Sequence, residues 1–77
     1  MKITVEFVGT IDTGPYEKTQ EFEVPSGTTV RDFLETLHFQ RAHLSYIQVV
    51  RGGSRINQTE KLKNGNRLEL MLMVGGG

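Results

Sequence analysis

Apolar and polar residues alternate at the start of the chain, where Ile3, Val5 and Phe7 are set between Lys2, Thr4 and Glu6. A two-residue period puts one set of side chains on a single buried face, the mark of a β-strand. The pattern returns from Gln20 to Val24, with Phe22 and Val24 inward and Glu21 and Glu23 outward. The connection between them, Gly9 to Lys18, contains Gly14-Pro15 and reads as a turn or loose hairpin loop. The two strands most simply form an antiparallel hairpin.

The period then changes. Pro25-Ser26-Gly27 closes the second strand, and Thr29 followed by Asp32 resembles a capping box with Asp in place of the longer Glu. Val30, Phe33, Leu34 and Leu37 fall at i, i+3, i+4 and i+7, one face of a helix expected from about Val30 to His38. Asp32 in the first turn and His38 in the last suit the helix dipole. An irregular connection follows, from Phe39 to Ser45. Tyr46 to Arg51 reads as a strand, with Ile47 and Val49 on one face and Tyr46, Gln48 and Val50 on the other. Gly52-Gly53 fits a tight turn, and Arg55-Ile56-Asn57 a short edge strand. Leu62 is placed as the anchor of the next loop, and Asn64-Gly65-Asn66 as a turn. The last strand, 67–74, is expected to bury Leu68, Leu70 and Leu72, with Val74 next in that series. Glu69, Met71 and Met73 then face the other way. The order β-β-α-β-(β)-β describes an α+β roll with one helix packed on one face of a sheet.

Seventy-seven residues allow one domain, expected over residues 1–74, followed by a flexible glycine tail, 75–77. The tail is the most informative chemistry in the chain. A strand running into Gly75-Gly76-Gly77 carries the last carboxylate on an arm without side chains. Such an arm spans roughly 10 Å and can enter a channel too narrow for other residues. Nothing else resembles an active site. His38 and His43 lack a third ligand at metal-binding spacing, and the absence of cysteine removes disulfides and thiolate metal sites. Nine basic and nine acidic residues cancel, which disfavours broad nucleic-acid or membrane-surface binding. The charges are uneven, however: residues 1–24 are mainly acidic and residues 25–77 mainly basic, a distribution able to orient a partner. No apolar run approaches the ~20 residues of a membrane-spanning helix, and the first strand is not a signal-peptide core, so a cytoplasmic location is expected.

With that element order and that tail, the chain resembles the ubiquitin-like β-grasp sulfur carriers, the MoaD/ThiS family. The resemblance is carried by Met1-Lys2-Ile3-Thr4-Val5, by Val24-Pro25-Ser26-Gly27-Thr28-Thr29-Val30-Arg31-Asp32-Phe33-Leu34, and by Leu62-Lys63-Asn64-Gly65-Asn66-Arg67-Leu68-Glu69-Leu70. The diglycine end matches Gly76-Gly77. It implies a mixed sheet of four to five strands. In the family an acidic residue often stands at each position held here by Asn64 and Asn66. Leu72-Met73-Val74-Gly75 is closer to the thiamine-type carriers than to the molybdopterin-synthase small subunits, which usually have prolines and an alanine there. The Gly9 to Lys18 connection is longer than in the thiamine type. The receiving product therefore stays open among molybdopterin, thiamine, a tRNA thio-nucleoside and cysteine.

The resemblance further implies a carrier that is a substrate of an enzyme rather than an enzyme. A terminal carboxyl has an intrinsic pKa of ~3.3–3.7 and is ionised at neutral pH, so it is a poor electrophile. An E1-like adenylating enzyme would use ATP to activate Gly77, with Gly75 and Gly76 entering that enzyme. A sulfur donor of the cysteine desulfurase or rhodanese type would convert Gly77 to a thiocarboxylate, for use by a sulfur-accepting synthase. The chain itself would bind no cofactor and would be a monomer when free. Ordering the tail costs ~1–2 kcal/mol per residue, which docking must offset. Met71 and Met73 are the first docking candidates, extended by Tyr46, Val50 and Arg51; burying one methionine contributes ~1.5–3 kcal/mol. The alternatives are a ubiquitin-like modifier joined to lysines through the same tail, with Lys61 and Lys63 as sites of self-conjugation, and an interaction module without terminal chemistry. An RNA-binding β-grasp domain ranks lower because net charge is zero.

Overall fold

A computed structural model describes residues 1–73. Five strands, β1 (Lys2–Phe7), β2 (Thr19–Glu23), β3 (Ile47–Arg51), β4 (Ser54–Ile56) and β5 (Arg67–Leu72), form one sheet in the order β2-β1-β5-β3-β4. β1 and β5 run parallel at its centre, and every other pair is antiparallel. The expected hairpin is present, pairing Ile3 with Phe22 and Val5 with Gln20. Gly52 and Gly53, with φ of 60° and 81°, turn β3 into β4 in the doubly left-handed geometry that such a hairpin requires.

Alternation decides which face is buried. Ile3, Val5 and Phe7 of β1, Leu68 and Leu70 of β5, and Ile47 and Val49 of β3 all lie beneath the helix α1 (Val30–Glu35), whose Val30, Phe33 and Leu34 close the core. The Phe33 ring meets Phe22 edge-on at 5.1 Å, and Phe22 meets Tyr16 at 5.0 Å, so the long loop after β1 is packed into the structure. The Thr29 cap forms as expected, its hydroxyl accepting from the Asp32 N–H at 3.1 Å.

The helix ends three residues earlier than the apolar spacing suggests. Thr36 stops it: its N–H and its hydroxyl both bond back to the Phe33 carbonyl, the hydroxyl at 2.6 Å. His38 therefore does not sit in a last helical turn. Its Nε2 is instead 2.7 Å from the Asp12 carbonyl oxygen, and its ring lies against Gly14. Arg41–Tyr46 forms a 3₁₀ turn that overlaps the stretch expected to be irregular, takes in Tyr46 and moves the start of the strand to Ile47.

β5 outruns its neighbour β1, whose last paired residue lies opposite Leu70. Leu72, expected in the core, stands beyond that point and is 37% exposed.

Candidate functional site

The end of β5 leads toward the glycine tail and carries two of the expected docking residues, and it has two unlike sides. On the side away from the helix, Met71 is half-buried opposite Gln48, whose amide points at the Met71 sulfur at 4.0 Å. Met73 is 43% exposed, with the Arg55 guanidinium 3.8 Å from its sulfur. Val50 lies on this side, between Glu69 and Arg55. Much of the rest of the open face is polar, including an ion pair between Arg67 and Glu6 at 3.1 Å.

Arg51 does not join this surface. It follows Val50 by one residue and so projects to the helix side, where its guanidinium bonds the Lys61 carbonyl, Asn66 Oδ1 and Glu60 Oε1. These contacts brace the loop between β4 and β5. Tyr46 also departs from the expected set: it belongs to the 3₁₀ turn, its carbonyl accepting from the Met73 N–H at 2.8 Å. Gly75, Gly76 and Gly77, with Val74, lie outside the described residues.

On the helix side, the uncovered end of β5 borders a groove of about 660 Å³. Ile11, Ile47, Phe39 and Leu72 supply its apolar walls, with Tyr46 and Met73 at the end where the chain leaves the sheet. His38, His43 and Asp12 also border it, but among the described residues no group of three His, Cys, Asp or Glu is placed to hold a metal. The sequence reading missed this groove. One signal for it was present: alternation fails after Glu69, where Leu70-Met71-Leu72-Met73-Val74 is apolar on both faces.

The ThiS family model matches residues 5–77. The chain belongs to the ThiS family. Among curated proteins, none matches it at significant similarity. Two solved structures of small archaeal modifier protein 1 from Haloferax volcanii superpose on this ThiS-family chain, with TM-scores of 0.75 and 0.73 at 21% and 19% identity. The first covers 100% of both chains, and the second 95% of this chain and 98% of that one. A complex of subunits 1 and 2 of molybdopterin-converting factor from Helicobacter pylori contains a chain matching at a TM-score of 0.66 and 23% identity, with 100% of both covered. These likenesses establish the ubiquitin-like β-grasp fold. No helix among the described residues is long and apolar enough to cross a membrane.

Proposed function

We propose that the chain is a sulfur carrier whose reactive group is the carboxylate of Gly77. The observation that carries this reading is the family match, which runs from the first strand through Gly77. The folded body supports it by delivering β5 to the protein surface immediately before the glycines, with apolar side chains at the point of exit.

The chemistry follows from the carboxylate. Its oxygen attacks the α-phosphorus of ATP on an E1-like enzyme, pyrophosphate leaves, and the acyl carbon becomes electrophilic. The terminal sulfur of a donor persulfide then displaces AMP. A second thiol cleaves the sulfur–sulfur bond and frees the thiocarboxylate for a sulfur-accepting synthase. On this account the chain is a substrate that supplies geometry, and its partner supplies the nucleotide site.

A modifier reading uses the same activated carbonyl but passes it to a lysine amine. The fold it shares with a small archaeal modifier protein favours including this outcome. The purified chain should release pyrophosphate from ATP with the adenylating enzyme of its own organism, and should lose this reaction when Gly76-Gly77 is deleted. Adding a persulfide donor should give the thiocarboxylate form. Lysine-linked adducts in its place would establish the modifier, and an inert intact chain would refute both.

A further inference from the structure

We infer that the groove between the 3₁₀ turn and the end of β5 is the docking socket for an apolar side chain of the enzyme that activates Gly77. The inference rests on the carrier reading and adds to it which side of the sheet the partner grips.

Two observations bear on this groove. The first is exposure. Tyr46, Leu72 and Met73 are the large hydrophobic side chains left exposed among the described residues, at 57%, 37% and 43%, and all three border this one concavity. Scattered apolar side chains need no explanation, but a cluster around a concave apolar wall marks an interaction site. The open face offers less: Met71 is half-buried with the Gln48 amide at its sulfur, and Arg67 is paired with Glu6.

The second is reach. The residues from Val74 to Gly77 span at most ~14 Å even when fully extended. A partner that acts on the Gly77 carbonyl must therefore hold its own surface close to Met73, which borders the groove as well as the open side. The lining sets the occupant. Asp12, His38, Gln40 and His43 border part of the groove, but Ile11, Phe39, Ile47 and Leu72 present hydrocarbon, and an aliphatic or aromatic side chain fits against those four.

The test uses ATP–pyrophosphate exchange by the adenylating enzyme of the same organism, with the full chain as the varied substrate. Leu72→Ser and Tyr46→Ala are the groove variants. Each removes an exposed side chain, and Tyr46→Ala leaves the backbone bond to Met73 in place. Each should raise KM for the carrier roughly tenfold or more while kcat stays within about twofold, the pattern of lost binding contact. Circular dichroism and Tm report whether each variant is folded, and Tyr46→Ala carries the test alone should Leu72→Ser misfold. Wild-type KM in the folded variants would overturn the socket while leaving the carrier reading intact. So would a rise seen in Met71→Ser but not in the groove variants, which would put docking on the open face. Absence of exchange with the wild-type chain would remove the carrier reading and the socket together.

Discussion

Asn64 and Asn66 flank the turn before β5, and their contacts show what those positions require. Asn64 Oδ1 accepts from the Lys2 N–H at 2.8 Å, and Asn66 Oδ1 accepts from the Lys63 N–H at 2.8 Å while receiving Arg51 at 3.5 Å. Each contact draws on an oxygen, which a carboxylate supplies equally well. Asn66→Ala should therefore lower stability by about 1 kcal/mol in urea denaturation, and Asn66→Asp should preserve or raise it by pairing with Arg51. Gly14 makes a second residue-level test. Its φ is 58°, and an added Cβ would lie 2.5 Å from the His38 ring. Gly9, with φ of 73°, has open space at that position. Gly9→Ala should cost about 1–2 kcal/mol for the left-handed backbone alone. Gly14→Ala should cost measurably more, because it also forces the His38 ring off the Asp12 carbonyl.

At the scale of elements, the strands were legible because alternation is a direct record of a sheet with one buried face. The helix start was equally legible, since Thr29 and Asp32 advertise a cap. What was hidden was set by competition between local and tertiary contacts. The apolar series reaches Leu37, which is indeed buried, yet the helix stops at Glu35 because Thr36 bonds back to Phe33 and His38 is drawn to the loop after β1. Leu72 continues the β5 alternation but lies beyond the last residue paired with β1. Leu70→Ala should therefore cost 2–5 kcal/mol, to about the degree usual for a fully buried leucine, and Leu72→Ala less than about 1 kcal/mol. Equal losses in chemical denaturation would mean that the core extends to the strand end. Tyr46 was misplaced for a related reason: a 3₁₀ turn and a strand end look alike in a stretch this short.

Across the whole molecule, strand order gives the uneven charge a shape. β2, with Glu21 and Glu23, and β4, with Arg55, occupy opposite edges of the sheet. Residues expected to form one docking patch were instead divided: Val50, Met71 and Met73 share the open side, Arg51 is committed to its own loop, and Tyr46 joins Leu72 at the groove. The family was readable from order and spacing over the full chain, whereas the groove arises only when the helix, the 3₁₀ turn and β5 are assembled. Deleting Gly76-Gly77 should leave Tm unchanged, since it removes no residue of the described core, while ending adenylation.

If sulfur is carried at the last carbonyl, fragmentation of one peptide will locate it there. Arg67 is the last basic residue, so trypsin releases Leu68–Gly77 intact. Exchange of oxygen for sulfur has the same nominal mass as oxidation of Met71 or Met73, so the position of the added mass must be read from fragment ions. After reaction with the adenylating enzyme, ATP and a persulfide donor, the addition should map to Gly77. An unmodified Gly77, with the added mass confined to the methionines or absent, would contradict it.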